Sequence, residues 1–248
     1  MKLHSIVSGQ GPDLVILHGL FGLADNWVAI AKKLESHFTV HLVDQRNHGR
    51  SPHDKVFNYQ EMANDLLSLG LSKFSLIGHS MGGKTAMFFA KQHPEKLDKL
   101  VVVDIGVKHY PVHHQQIIDA LLQLPIHLMS SRNEADEMLK ESIPDFGTRQ
   151  FLLKNLHRVD EHGFEWRFNL QVIAEQIEEV GKALEGSPCM IPTLFIRGAK
   201  SRYIVDEDWE GILAHFPNAK LKTIENAGHW VHAEQPEILF NELNSFLV

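Results

Sequence analysis

The chain has 248 residues, 44% of them hydrophobic and 22% charged, enough apolar material for one large domain with a sizeable core. Its formal net charge is −7 and no Lys/Arg block is long enough to grip a phosphate backbone, which argues against a nucleic-acid partner. The single cysteine, Cys189, rules out an internal disulfide and a cysteine metal cluster; no stretch approaches the ~20 apolar residues that span a bilayer, and residues 1–11 lack the apolar run of a secretory signal, so a cytoplasmic monomer or small homo-oligomer is expected.

Short, largely apolar runs at 14–17, 38–43, 74–77 and 100–103 read as strands covered on both faces. Between them, 24–36, 59–71 and 82–93 carry helical patterns, the last stopped by Pro94. From 107 to 186 strand signals give way to helical stretches such as 115–124 and 134–142. The alternation returns at 193–197 and 220–224, and a helix over 236–247 closes the chain. This rhythm predicts an α/β fold with a mostly parallel central sheet flanked by helices. Residues 1–106 and 187–248 would form that core, with 107–186 as a helical cap insertion.

Gly78-His79-Ser80-Met81-Gly82 matches G-x-S-x-G, and its position matters more than the match. The run before it is a strand and the run after it a helix, so Ser80 falls at the strand-to-helix turn that a nucleophile elbow requires. Glycines flank such a serine because its strained backbone leaves no room for side chains. A serine nucleophile needs a base, and with seventeen histidines position has to select it. His229, in Gly228-His229-Trp230, follows the last strand and precedes the closing helix, where loops converge on the sheet edge that carries Ser80. His232 is its nearest rival, expected as a helix-start or surface residue. His18 and His79 sit inside glycine motifs and are expected to orient local backbone, while His113 and His114 are expected to be solvated.

The acid that orients the base is the least determined member. Asp104 ends the apolar strand in Val101-Val-Val-Asp104 and should emerge beside Ser80; Asp206 and Asp208 stand near a helix start, where acids are favoured for a mundane reason. Asp104 is preferred, and the later pair stay open as alternatives. For the oxyanion, the backbone N–H groups of Met81, after the nucleophile, and Leu20, after the first predicted strand, occupy the required places. Phe21 and Trp230 stand next to these groups and are candidate walls of a substrate pocket, with core packing as the ordinary alternative.

With these residues assembled, the sequence resembles the α/β-hydrolase superfamily along essentially its whole length, and within it the small bacterial YbfF-like esterases related to the abhydrolase-11 type. The local matches are His18-Gly-Leu-Phe-Gly22, Asp44-Gln-Arg-Asn-His-Gly-Arg-Ser-Pro52, Gly78-His-Ser-Met-Gly-Gly-Lys84, Val103-Asp-Ile105, Phe151-Leu-Leu-Lys-Asn155, Trp166-Arg-Phe-Asn169 and Gly228-His-Trp-Val-His-Ala-Glu234. Many superfamily members carry the acid just after the glycine that ends a later strand. Here that glycine is Gly198 and the place belongs to Ser201, which cannot supply a negative charge. The YbfF-like group carries its acid one strand earlier, which supports Asp104. The 44–52 segment has Asn47 where wider relatives often have glycine, and reads as a structural loop with Arg46 buried in a hydrogen-bond network.

The resemblance implies hydrolysis of short- to medium-chain acyl esters, with acyl-CoA thioesters among the substrates of some members, through an acyl-enzyme on Ser80 and with no metal or organic cofactor. Carbon–carbon hydrolases, perhydrolases and acyltransferases share the same triad. A non-catalytic ligand receptor on this scaffold is the competing class, though a receptor needs no complete triad.

Overall fold

The computed structural model describes residues 1–159 and 163–248. The chain opens with β1 (Ser5–Gly9) and β2 (Asp13–Leu17), then α1 (Val28–Leu34), β3 (Thr39–Val43), α2 (Tyr59–Leu66), β4 (Phe74–His79), α3 (Met81–Gln92) and β5 (Leu97–Val103). It continues through α4 (Gln115–Leu122), α5 (Arg132–Leu139), α6 (Phe146–Leu153), a hairpin of β6 (Leu156–Arg158) and β7 (Phe164–Trp166), α7 (Leu170–Glu175) and α8 (Ile177–Val180). The last elements are β8 (Thr193–Gly198), α9 (Trp209–His215), β9 (Ala219–Ile224), α10 (Val231–Glu234) and α11 (Pro236–Leu247).

Seven strands form one sheet in the order β1-β3-β2-β4-β5-β8-β9, parallel throughout except for β1, which pairs antiparallel with β3. The sheet is apolar on both faces because successive side chains point to opposite sides. Val15, Leu17, Leu76 and Val102 pack with α2, α3 and α9 residues such as Leu66, Phe89 and Ile212. Leu14, Ile16, Ile77 and Val103 pack with α1 and α11 through Ile30, Leu239 and Leu243. From β2 the chain turns one way to β3, then crosses back to β4 on the other side of β2. The carboxyl ends of β2 and β4 therefore flank a switch point, where open α/β sheets form their binding crevice.

The expected strands over 14–17, 38–43, 74–77, 100–103, 193–197 and 220–224 correspond to β2, β3, β4, β5, β8 and β9. Two features depart from expectation. The edge strand β1 escaped the sequence pattern because its residues are mostly half-exposed. The 107–186 segment, where helical stretches were expected and no strand, contains the β6–β7 hairpin. Among the described residues that segment has no isolated core. Its Ile118, Leu121, Leu152, Ile173 and Ile177 pack in one cluster with Leu20, Phe21, Tyr59 and Met81 from the sheet-bearing part.

Candidate active site

The elements converge on the carboxyl edge of the sheet. Ser80 follows β4, Asp104 follows β5, Leu20 follows β2 and His229 lies in the loop after β9. Ser80 has φ 54° and ψ −120°, a strained backbone for a residue with a Cβ. That turn forces close approaches: a Cβ on Gly78 would lie 2.2 Å from the Gly82 carbonyl oxygen, and one on Gly82 would lie 2.5 Å from the His18 oxygen. Here the glycines are a steric necessity. Ser80 also stands at the N-terminus of α3, whose dipole favours negative charge in front of it.

Three side chains form a continuous relay. The Ser80 hydroxyl lies 3.0 Å from His229 Nε2, and His229 Nδ1–H donates to Asp104 Oδ2 over 2.7 Å. Asp104 is fully buried and also accepts from the Gly198 N–H at 3.0 Å and the Ser201 hydroxyl at 2.5 Å. Its φ of 53° turns the carboxylate out of the strand direction at the end of β5. Asp206 instead pairs with Arg197, and Asp208 pairs with Lys108 and accepts from the Val205 N–H. Ser201, noticed in the sequence only as the wrong residue for an acid, donates its hydroxyl to the Asp104 carboxylate.

Among the described residues, neither the Leu20 nor the Met81 N–H has a hydrogen-bond acceptor. Both amides belong to residues that line the space at Ser80. Two free donors at that place are what an oxyanion hole requires. The loop carrying Leu20 is fixed by its neighbours. Phe21, with φ 58°, donates its N–H to His48 Nε2 at 3.1 Å, and its carbonyl accepts from the Asn155 amide at 2.7 Å.

A cavity of about 240 Å³ opens on Ser80, and Phe21 and Trp230 both line it, with Phe151, Leu152 and Ile117 from the 107–186 segment. Histidines account for much of the rest, which corrects several sequence expectations. His114 is largely enclosed in the pocket wall, not solvated, and burial lowers its pKa to about 3. His113 is exposed as expected, but it accepts a hydrogen bond from the Tyr203 hydroxyl at 2.6 Å. His232 does stand in the short helix α10, but it is buried, stacked on Trp27 at 4.6 Å. His79 reaches across the chain to donate to the His229 carbonyl at 2.8 Å, so it ties down the loop that carries His229. His18 does orient local backbone, donating to Gly19 O and accepting from the Gln45 N–H.

Sequence reasoning also missed Tyr203. Its ring stacks on His229 with centroids 4.0 Å apart and planes at 19°, covering one face of the imidazole. The Arg46 expectation agrees with the structure: its guanidinium grips Asp65 and the Val56 carbonyl. Asn47 takes φ 62°, a left-handed conformation that asparagine tolerates and that explains a glycine at that place elsewhere. Among the described residues, no group of three or more His, Cys, Asp or Glu side chains is placed to hold a metal ion, and no helix is long and apolar enough to cross a membrane.

A family model for the alpha/beta hydrolase fold matches residues 12–159. This chain is an α/β-hydrolase. It is 39% identical to the sn-1-specific diacylglycerol lipase ABHD11 of Mus musculus, over 95% of this chain and 81% of that protein. It is 37% identical to esterase YbfF of Escherichia coli, over 94% of this chain and 92% of that one. A solved structure titled marine microorganism esterase superposes with a TM-score of 0.97 at 41% identity, covering 99% of both chains. The hydrolase therefore stands among enzymes of the esterase/lipase type.

The buried histidines give the hydrolase a pH-dependent stability. Burial holds His18 and His79 below their ordinary pKa and brings His48 and His232 to about 3. The unfolded chain takes up these protons near pH 6.5 and the folded one does so only far below, so stability is complete above pH 6.5 and is lost as pH falls toward 3. Each fully neutral histidine costs roughly 1.4 kcal/mol per pH unit in that window. Thermal melts between pH 7.5 and 5 are expected to show Tm falling steeply below pH 6.5; a flat Tm across that interval contradicts the burial of these side chains as neutral groups.

Proposed function

We propose that the hydrolase is a serine carboxylesterase that cleaves acyl esters, and acyl-CoA thioesters by the same chemistry, through an acyl-enzyme on Ser80. His229 takes the Ser80 proton as the oxygen attacks the acyl carbon, and Asp104 holds the imidazole in the tautomer that can accept it. The oxyanion is met by the Leu20 and Met81 amides. The imidazolium then protonates the departing alcohol or thiol. Water, deprotonated by the same imidazole, cleaves the acyl-enzyme and returns the proton to Ser80. All bonds made and broken are accounted for without a cofactor. The 107–186 segment acts as a cap that supplies apolar wall to the pocket and sets substrate size.

One observation carries this reading: the relay Ser80–His229–Asp104, with hydrogen bonds of 3.0 and 2.7 Å, at the floor of a cavity with two free amides beside it. The named relatives, a diacylglycerol lipase and an esterase, act in the same chemical class. We place its work on small-molecule esters in the cytoplasm; among the described residues no helix is long and apolar enough to cross a membrane.

The test is turnover of p-nitrophenyl butyrate and butyryl-CoA by the purified protein, with labelling by a fluorophosphonate in parallel. Hydrolysis and stoichiometric labelling at Ser80 are expected. A protein that neither turns over nor labels is a binding protein on this scaffold and ends the esterase reading.

A further inference from the structure

Two hydrogen bonds define an axis through the His229 ring but not its plane. Nδ1 lies 2.7 Å from Asp104 Oδ2 and Nε2 lies 3.0 Å from Ser80 Oγ, both at the edge of the imidazole. Neither contact resists rocking of the ring about the line that joins them, and 25% of the side chain is open to solvent. The plane is set by Tyr203, whose ring covers one face with centroids 4.0 Å apart and planes at 19°.

Tyr203 is itself held at each of its polar atoms. Its N–H donates to Ser201 Oγ at 3.2 Å, and its carbonyl accepts from the Tyr110 hydroxyl at 2.5 Å. Its own hydroxyl donates to His113 Nε2 at 2.6 Å. That nitrogen is free to accept because Nδ1–H of the same ring donates to the Pro111 carbonyl. Burial pushes the Tyr203 hydroxyl up to about 12, so it keeps this proton near neutral pH. Tyr110 and His113 open the 107–186 segment, and that segment is anchored at both ends. Lys84, fully buried in α3, bonds through Nζ to the carbonyls of Val107, Lys108 and Lys182 at 3.2, 2.7 and 2.8 Å. The two ends also bond to each other, Leu184 N–H to Val107 O and Tyr110 N–H to Gly181 O, both at 2.8 Å.

We propose that Tyr203 is a positioning residue for the base, clamping the His229 ring by its stack while the 107–186 segment holds Tyr203 in place. The assignment rests on the esterase reading and bears most on the second half of the cycle. Before acylation the imidazole has both the Asp104 carboxylate and the Ser80 hydroxyl as partners. In the acyl-enzyme, Ser80 Oγ is the ester oxygen and has no proton to share. Nε2, having passed its proton to the leaving alcohol, must then accept one from water. At that stage the ring keeps the Asp104 bond, a contact with His79 tilted by 41°, and the Tyr203 stack. The stack is the contact that fixes its plane. Its removal therefore slows deacylation more than acylation.

Stopped-flow and steady-state assays with p-nitrophenyl acetate separate the two halves, since kcat/KM reports acylation and a slowed deacylation lowers kcat and KM together. In Tyr203→Leu, kcat is expected to fall about 10- to 100-fold, the scale of a misplaced catalytic group, with KM falling in step. Its kcat/KM should stay within about threefold of the wild type, behind a burst of about one p-nitrophenol per chain. Tyr203→Phe keeps the ring and the carbonyl contact, and its kcat is expected within about threefold of the wild type. Tyr110→Phe frees the Tyr203 carbonyl and should lower kcat and KM together by about three- to tenfold. A reduced burst with unchanged KM in Tyr203→Leu signals a lost fold, and a raised KM signals a lost substrate contact; either overturns the assignment. An equal loss in Tyr203→Phe also overturns it, because the effect then belongs to the hydroxyl. Wild-type kinetics in Tyr110→Phe overturn the hold by the 107–186 segment. None of these outcomes touches the esterase reading. A wild type that neither turns over nor labels at Ser80 ends that reading, and the role of Tyr203 with it.

Discussion

Ser80→Ala is expected to lower kcat by about 10⁶-fold on any ester that the wild type cleaves, the loss seen when a serine nucleophile is removed from a working triad. The reason is that nothing else near His229 can take its place. Asp104 is enclosed behind the imidazole, and the Ser201 hydroxyl is committed to Asp104 Oδ2. Residual hydrolysis of roughly 10³-fold over water should survive, because the variant keeps the Leu20 and Met81 amides that the proposed mechanism assigns to the oxyanion. Folding is not at stake: alanine has the same backbone requirement as serine at φ 54°, and among the described residues the Ser80 hydroxyl bonds only to His229. Steady-state assays with active-site titration, plus a circular dichroism spectrum matching the wild type, check this. A drop smaller than about 100-fold would mean that turnover does not pass through an acyl-Ser80.

The parts of this molecule that could be read from the sequence are those whose cause is local. Within β2, β4 and β5, the apolar runs 14–17, 74–77 and 100–103 have every side chain buried whichever face it meets. The elbow at Ser80 announces itself because its close approaches, 2.2 Å at Gly78 and 2.5 Å at Gly82 for any Cβ, admit only glycine. What stayed hidden depends on distant segments. β1, five residues half open to solvent, is a strand because β3 lies beside it. His114 and His232 carry no mark that separates them from surface histidines; one is enclosed in the wall of the cavity at Ser80 and the other is stacked on Trp27. Tyr203 and Ser201 act through a ring face and a hydroxyl, which leave no spacing pattern, although Ser201's place after Gly198 was visible.

The same distinction applies to electrostatics. Chain composition shows seventeen histidines and a net charge of −7, and says nothing of which histidines are charged. Burial makes it otherwise. His18, His79, His114 and His232 all line the cavity with pKa values lowered chiefly by desolvation, so near neutral pH they present uncharged rings around His229. In the proposed mechanism an uncharged wall leaves the Asp104 carboxylate, 2.7 Å from His229 Nδ1, to stabilise the imidazolium.

Asp104→Asn should therefore lower kcat by about 10⁴-fold, with little change in KM, as in other triads whose acid is made neutral. The wild-type carboxylate accepts from three donors: Gly198 N–H on Oδ1, and Ser201 Oγ–H and His229 Nδ1–H on Oδ2. An amide offers one acceptor atom for these three. If its oxygen keeps Gly198, its NH₂ faces His229 Nδ1 and favours the tautomer with the proton on Nε2, which cannot take the proton of Ser80. If the amide turns over, its NH₂ confronts the Gly198 N–H inside a fully buried site, which costs roughly 1–3 kcal/mol for the unmet donor. Either way the relay breaks. Ser201→Ala removes one of three donors and leaves the charge in place, so its loss should be far smaller, about tenfold. Asp206→Asn and Asp208→Asn change ion pairs to Arg197 and Lys108 and should turn over near the wild-type rate. Measuring kcat for the four variants on one ester separates the candidates for the acid. Collapse in Asp208→Asn or Asp206→Asn alongside an active Asp104→Asn would move the acid to the later strand and break the relay proposed here.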